Sequence, residues 1–254
     1  MALMLVIMAA CSPGSDSGAD TIVTHARQNV AGDEYVVLTV NTAKAEISVA
    51  DSIIPDINDP EVCLCVEAAF TGEKTDTFRS SNVAGDYVAC GVLHHGYDCE
   101  ANTGMLCSID GKVAIAPLDS CAEMSARAVA SGGSLFQQML LIHNGKDVYR
   151  GHPIGRTDRH IYRSACITRD GGFAIIQSRY PVQLDKFISA LLQMGARNAL
   201  YLDMGMGWNY GWYREQPGDQ PNLLFSVQSV YQTNWLVVKP RRPDRKQTMP
   251  QPRQ

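Results

Sequence analysis

An apolar run ends abruptly in a carboxylate and two glycines in the stretch Gly195-Ala-Arg-Asn-Ala-Leu-Tyr-Leu-Asp-Met-Gly-Met-Gly-Trp-Asn209. Upstream, apolar residues recur at helical spacing over Leu184–Leu192, and Gly195 is placed to cap that helix. The run Ala199–Leu202 then indicates a short buried strand that delivers Asp203 to a loop. An acid at the end of a buried strand is costly unless it is paired or used. Asp203 is therefore a candidate catalytic residue, and the alternative is an aspartate that only caps a turn.

Two further stretches have the pattern of β-hairpins. In Arg163-Ser-Ala-Cys-Ile-Thr-Arg-Asp-Gly-Gly-Phe-Ala-Ile-Ile176, two apolar runs flank a polar Asp-Gly turn. The first strand of this hairpin is expected to carry Arg163 beside the Asp203 loop. Met139-Leu-Leu-Ile-His-Asn-Gly-Lys146 predicts a second hairpin that turns at its Asn-Gly pair.

These stretches resemble the phosphodiester glycosidase domain family. The helix, the glycine turn and the strand that ends in Asp203 are similar to the family's signature around an aspartate and a glycine-rich segment. The Arg163 hairpin resembles its Arg-Thr-Ala-Ile-Gly strand, and the Asn-Gly-Lys hairpin has a counterpart as well. Val66-Glu-Ala-Ala-Phe-Thr-Gly72 lies where the family has an Asn-Gly-Gly-Phe-Phe type segment, so that Glu67 replaces the asparagine.

The resemblance implies an exported hydrolase that cleaves a sugar-1-phosphodiester between the anomeric carbon and the phosphodiester oxygen. Carboxylates can stabilise the oxocarbenium-like centre and activate water, and arginine can hold the phosphate. Asp203 is expected to act as base or electrostatic stabiliser and Arg163 as the phosphate clamp. Glu67 is the candidate second carboxylate on chemical grounds alone. The two carboxylates could also hold a divalent cation, although no ligand spacing specifies one and no other cofactor is indicated.

Further residues are expected to bind the substrate around these three. They are Gly205, Gly207, Asn209, Ser164, Arg156, His160 and Trp208. The glycines would let backbone N–H groups approach the ligand, and the serine and the asparagine would orient polar groups. The arginine and the histidine belong to a basic loop, residues 151–160, which is either an anion-binding loop or a solvated surface loop. The tryptophan opens an aromatic cluster that either stacks on sugars or packs as core or lid.

Residues 1–20 have the pattern of a lipoprotein-type signal and tether. The apolar run Ala2–Ala10 ends in small residues and Cys11, and a flexible polar segment follows. The run is too short to span a bilayer. Cys11 is therefore predicted to be lipidated and to anchor an exported protein in a bacterial cell envelope, either periplasmic or at the surface. The alternatives are a buried helix or an ordinary cleaved signal peptide.

The remaining cysteines are compatible with an oxidising compartment. They are Cys63, Cys65, Cys90, Cys99, Cys107, Cys121 and Cys166. Those from Cys90 to Cys121 lie in a loop-rich region and could pair, but spacing fixes no pairing. A zinc site made of Cys63, Cys65, His94 and His95 lacks a second matched pair of ligands, so the first two are predicted to be small buried apolar groups.

The charge pattern excludes a nucleic-acid-binding body. Residues 239–254 carry six basic side chains and one acidic one, a net charge of +5, which leaves −9 on the rest of this −4 chain. An acidic body offers no track for a phosphate backbone. The tail, rich in proline and glutamine, is predicted to be disordered.

Hydrophobic periodicity predicts the remaining elements. Further strands are expected at Ile22–Thr24, Glu34–Val40, Ala45–Ala50, Val62–Phe70, Phe225–Val230 and Trp235–Val238. A capping box at Ser120 and Glu123 predicts a helix that stops at Gly132. Hairpins with a few packed helices indicate an α+β fold with a mixed sheet rather than a doubly wound parallel one. A single domain is expected over residues 21–238, between the signal and the basic tail at 239–254.

Two other functions fit the same pattern. One is a non-catalytic glycan-binding surface lipoprotein of the same fold, and the other is an envelope assembly or structural lipoprotein. A hydrolase is expected to lose turnover and keep its fold on Arg163→Ala, whereas a binding protein has no turnover to lose.

Overall fold

The computed structural model describes residues 21–51, 54–73, 77, 79–151, 154–205, 210–225 and 231–242. Its α-helices are α1 Cys121–Ser131 and α2 Leu184–Gln193. Its strands are β1 Val23–Val30, β2 Asp33–Val40, β3 Ala45–Ala50, β4 Leu64–Glu67, β5 Tyr87–Ala89, β6 Val92–His94, β7 Gly104–Ile109, β8 Lys112–Pro117, β9 Ser134–Gln138, β10 Leu140–His143, β11 Lys146–Asp147, β12 Arg159–His160, β13 Arg163–Thr168, β14 Phe173–Ser178, β15 Val182–Gln183, β16 Ala196–Leu202, β17 Gly211–Tyr213, β18 Asn222–Leu223 and β19 Trp235–Pro240. The predicted lipidation site Cys11, residues 226–230 of a predicted strand and the tail from residue 243 lie outside the described residues.

A seven-stranded antiparallel sheet carries most of the predicted strands. Its order is β1-β2-β14-β13-β16-β10-β11. Both predicted hairpins are confirmed: β13 pairs with β14, and β10 turns into β11. Asn144 and Gly145 have φ angles of 50° and 73°, the backbone that a two-residue turn between right-twisted strands requires. Helix α2 and strand β16 are also confirmed, with Gly195 at φ 89° ending the helix.

A two-stranded sheet, in which β12 pairs with β15, and two five-stranded sheets complete the described architecture. The orders of the five-stranded sheets are β18-β17-β4-β19-β3 and β6-β5-β9-β7-β8. Strand β3 follows β2 directly, but the turn at residues 41–44 transfers the chain from the seven-stranded sheet to the first of these sheets. Strand β19 continues to Pro240, two residues past its predicted end.

The main core lies where the inner faces of the three larger sheets meet. It contains alternate residues of each strand, such as Leu200 and Leu202 of β16 with Val66 of β4 and Leu106 of β7. The other faces form smaller cores. Helix α2 packs on the outside of the seven-stranded sheet, against a cluster that includes Tyr201. Helix α1 covers the last sheet in the same way.

The α+β prediction is wrong. Strands account for 45% of the structure and helices for 13%, and the sheets are antiparallel, so the fold is dominated by sheets. Residues 83–117 explain much of the error. They form four strands, and none of the four was predicted from the sequence. Strands β5 and β6 have only three residues each, and glycines interrupt the alternation of apolar and polar residues.

Three local expectations also change. Ser120 precedes α1, but its side chain makes no capping hydrogen bond, so the capping box is absent although the helix is present. The strand predicted at Val62–Phe70 is shorter and covers only Leu64–Glu67. The seven described cysteines are free thiols, so the pairing considered for Cys90 to Cys121 is not formed. No described helix is long and apolar enough to cross a membrane.

Candidate active site

Three charged side chains meet in the protein interior at the ends of strands from two sheets. Glu67 is the last residue of β4, Arg163 is the first residue of β13, and Asp203 directly follows β16. Arg163 stands opposite Leu202 in the β13–β16 register, and the Asp203 amide donates to the Ala68 carbonyl at 3.1 Å. The exposed fractions of Glu67, Arg163 and Asp203 are 0%, 0% and 4%. We call these three residues the charged cluster.

Arg163 is the fixed cation of the charged cluster. Its Nε donates to Gln177 Oε1 at 2.9 Å and its Nη1 to the Tyr210 carbonyl at 3.0 Å. A side chain at Gly211 would place Cβ 3.1 Å from Nη2 and 2.9 Å from Val66 Cγ1, so the guanidinium depends on a glycine there. Burial lowers the pKa of Arg163 to about 10, against the opposing effect of Glu67, so the group stays protonated at neutral pH.

Glu67 is a buried carboxyl group without a hydrogen-bond partner among the described residues. Both of its oxygens are enclosed and unpaired. Burial raises the pKa of Glu67 well above its usual range. The charge of Arg163 opposes that shift and the charge of Asp203 adds to it. The backbone of Tyr210 is near enough to favour the charged form slightly, although it makes no well-formed hydrogen bond to either oxygen. Glu67 therefore holds its proton much more firmly than an exposed glutamate.

Asp203 is held by backbone amides and titrates near neutrality. The Gly205 amide donates to Oδ1 at 2.9 Å. Burial raises the pKa of Asp203 to about 7, although the amides of Gly205, Thr71 and Met204 and the charge of Arg163 all favour the ionised form. A carboxyl group with a pKa near the working pH can both accept and release a proton, as a general acid or base must.

Stability is expected to fall as pH rises from about 4 to about 7. The folded Asp203 keeps a proton until about pH 7, whereas the unfolded chain releases it near about pH 3.9. The folded state therefore binds more protons in this window, and deprotonation favours unfolding. Glu67 acts in the same direction. Urea unfolding across this range should show the decline, and Asp203→Asn should flatten it. An equal slope in both proteins would contradict the shifted pKa of Asp203.

Asn234 holds the loop that meets Asp203, and sequence reasoning missed it. It is fully buried, its Oδ1 accepts the Ala69 amide at 3.0 Å, and its carbonyl accepts the Ala68 amide at 3.1 Å. The Thr233 hydroxyl is hydrogen-bonded to that of Thr71. The sequence signal that could have found it is the polar pair Thr233 and Asn234 directly before the apolar strand that begins at Trp235. Asp203 is marked in the same way, by its position directly after an apolar strand.

Asn234→Ala is expected to destabilise the fold by about 1–3 kcal/mol, because the Ala69 amide would be left buried without a partner. The loop through Thr71 would also lose its support for Asp203. Asn29→Ala, on an exposed position of β1, serves as the control and should cost less than about 0.5 kcal/mol. Chemical unfolding of both variants provides the measurement. An equal loss of unfolding free energy in the two would show that Asn234 does not support the site.

Other predicted site residues are held by partners of their own. Ser164 neighbours Arg163 on β13, so it faces the opposite side of the sheet, where its hydroxyl donates to the Leu200 carbonyl at 2.8 Å. The Gly205 amide already donates its hydrogen bond to Asp203 Oδ1. Arg156 forms ion pairs with Asp147 at 2.8 Å and Asp185 at 2.6 Å.

His160 is exposed on β12, with its ring edge-on to Tyr162. Gly207, Trp208 and Asn209 lie outside the described residues.

The zinc alternative gains no support from the described part of the chain. Cys63 and Cys65 are buried, as predicted, and burial raises the pKa of both thiols. His94 lies 3.3 Å from Asp51, and His95 lies 3.1 Å from Asp86. No group of three or more potential metal ligands occurs among the described residues.

Comparisons with known proteins show a similar fold. No family model matches the chain, and no curated protein matches it in sequence. The zebrafish N-acetylglucosamine-1-phosphodiester α-N-acetylglucosaminidase catalytic domain, auto-inhibited by its pro-peptide, is similar with a TM-score of 0.55 and 9% identity, over 92% of this chain and 87% of that chain. A hypothetical protein from Synechocystis is similar with a TM-score of 0.50 and 14% identity, over 86% of this chain and 62% of that one, less than two thirds of its length. At these identities the likeness concerns the fold, which is similar to that of a phosphodiester glycosidase catalytic domain.

Proposed function

We propose that this protein is a glycosidase that hydrolyses sugar-1-phosphodiesters. The observation that carries the proposal is the charged cluster, two buried carboxyl groups with raised pKa values beside a buried arginine. The fold is similar to that of a catalytic domain whose name describes such a reaction. Glycoside hydrolases generally use a pair of carboxyl groups with shifted pKa values.

Asp203 is the catalytic residue in this proposal. A phosphodiester oxygen leaves readily as an anion. Catalysis is therefore needed mainly on the sugar side, where the anomeric carbon becomes electron-poor and water must be activated. The ionised carboxylate of Asp203 would stabilise that carbon or take the proton of the attacking water. Burial raises the pKa of Glu67 well above its usual range, so Glu67 adds less negative charge beside Asp203 than an exposed glutamate would.

Arg163 has a different role from the one expected from the sequence. It is fully buried, and two of its N–H groups bind Gln177 and the Tyr210 carbonyl. A phosphate would have to enter the interior to reach it. We therefore assign Arg163 to charge balance: it favours the ionised form of Asp203 once that residue has lost its proton.

Hydrolysis of a panel of sugar-1-phosphodiesters by the purified protein tests the function. Release of free sugar, with and without a chelator, is the readout. Turnover that survives chelation supports catalysis by the carboxyl groups alone, and turnover that a chelator abolishes adds a divalent cation. Sugar binding without release across the panel would replace the hydrolase by the glycan-binding alternative.

We also propose that the protein acts in the bacterial envelope, anchored through Cys11. The apolar run before Cys11 and the polar segment after it support this. Cell fractionation of the wild-type protein and of Cys11→Ser is the test. The wild type should be found with membranes and the variant should not, and an unchanged distribution would contradict lipid anchoring.

A further inference from the structure

A cavity lies beside residues 45–48 of β3, away from the end of that strand that is nearer the charged cluster. Its volume is about 480 Å³, within the range of small-molecule sites. It opens between the edge of β3, the start of β9, the β7–β8 turn and the end of α1. Trp235 of β19 pairs with Glu67 of β4 on one side and with Ala50, the last residue of β3, on the other. The end of β3 at Ala50 is therefore the end nearer the charged cluster. The cavity is therefore a separate place from the proposed active site.

The cavity exposes an unpaired piece of sheet edge. On the open side of β3, the Val49 amide donates to Ser134 Oγ at 3.1 Å, and the Ala45 carbonyl accepts Arg241 Nη2 at 3.2 Å. Backbone groups of alternate residues point to the same side of an antiparallel strand, so Ile47 directs its N–H and C=O to that side too. Among the described residues neither group has a partner. Ile47 thus presents one donor and one acceptor to the cavity.

Two nearly buried hydroxyl groups stand across from this edge. Ser134 is 2% exposed, and its oxygen accepts the amides of Val49 and Cys90 at 3.1 and 3.2 Å. With both lone pairs taken, its hydroxyl can only donate, and no described residue accepts. Ser108 is 9% exposed, lines the cavity, and its hydroxyl has no described partner. Both hydroxyl groups can therefore donate a hydrogen bond to a ligand in the cavity.

Charges around the cavity are mixed. Glu46 and Asp110 line it together with Arg241 and Arg242. The guanidinium of Arg241 is already bound to the carbonyls of Thr42, Ala45 and Gly111. The end of α1 also contributes its carbonyl pole, which disfavours anions. An anion would face the acids and this pole, and a cation would face the arginines.

We propose that this cavity binds a neutral polyhydroxylated ligand, a monosaccharide unit. Each sugar hydroxyl both donates and accepts, which matches the paired donor and acceptor of Ile47 and the hydroxyls of Ser108 and Ser134. No aromatic side chain lines the cavity among the described residues, so hydrogen bonds alone hold the sugar. The affinity is therefore expected in the range of about 1 mM.

Amide NMR of the full chain with glucose, galactose and mannose is the first test. The Ile47 amide signal should shift in a saturable manner in the wild type. Ser108→Val should weaken binding about tenfold, and Ser189→Val, an exposed serine on α2, should leave it unchanged. Asp203→Asn should also leave it unchanged, because the cavity does not depend on the active site. This last comparison separates a failure of the cavity site from a failure of the proposed hydrolase.

Alkylation of Cys90 gives a second readout that needs no variant. Cys90 is exposed and lines the cavity, whereas Cys99, half-buried, does not line it. Saturating sugar should slow alkylation of Cys90 several-fold and leave Cys99 unaffected, as peptide mass spectrometry would show. Glucose 1-phosphate and glucosamine are the charged probes. Tighter binding of either charged probe, the absence of protection by neutral sugars, or binding that ignores Ser108→Val would each overturn the proposal.

Discussion

Replacing Asp203 with asparagine is expected to lower kcat on a sugar-1-phosphodiester by about 10²–10⁴-fold, the contribution of one acid–base group. Asparagine keeps the shape and can still accept the Gly205 amide, whose bond to Oδ1 is 2.9 Å. It cannot ionise, so it can neither take a proton from water nor place a negative charge near the anomeric carbon. KM should change little, because the loss falls on the transition state.

The pH profile distinguishes this role from a structural one. The wild type should show an ionisation near pH 7 in kcat/KM, since burial raises the pKa of Asp203 to about 7. The residual activity of Asp203→Asn should lack this ionisation. Asp219→Asn is the matched control, an exposed aspartate that accepts the Gln216 amide at 3.0 Å and should keep full activity. If the pH profile of Asp203→Asn kept the ionisation near pH 7, that ionisation would belong to another group.

Replacing Arg163 with methionine is expected to destabilise the fold by about 3–5 kcal/mol, the usual cost of leaving a buried charge without its partner. Glu67 and Asp203 would remain enclosed with no cation beside them. Their pKa values should rise further, so the loss should be largest at alkaline pH, where both must ionise. Adding Glu67→Gln removes one of the two acids, so the double variant should recover part of the stability.

Guanidinium chloride unfolding of the single and double variants measures this effect. Arg179→Met is the control, because that exposed arginine pairs with Glu34 at 2.7 Å. A surface ion pair of this kind contributes about 0–1 kcal/mol. Equal losses in the two arginine variants, or a double variant no more stable than Arg163→Met, would mean that the charged cluster is not electrostatically coupled.

The half of the site on the seven-stranded sheet could be predicted from the sequence. Asp203 and Arg163 are both marked locally, one by an apolar strand that ends in an acid and the other by a hairpin with an Asp-Gly turn. Their proximity followed once the hairpin and the strand were placed in one sheet, and the register confirms it with Arg163 opposite Leu202.

The other half depends on contacts that no local pattern encodes. Glu67 was chosen for its chemistry, but its lack of a partner arises from the docking of a second sheet. Asn234 belongs to the site only because β19 pairs with β4 and brings it to Ala68 and Ala69. The fold class was wrong for a related reason, since three-residue strands such as β5 are too short for a two-residue period to stand out.

The division of the charged cluster between two sheets has a kinetic consequence. Glu67 belongs to one sheet and Arg163 and Asp203 to another, and these residues are far apart in sequence. Closing such non-local contacts is slow compared with forming a hairpin. During refolding, the hairpin of β13 and β14 can form early, while the cluster is complete only after the sheets have docked. Enzymatic competence should therefore be among the last properties that a refolding chain regains, after secondary structure has returned.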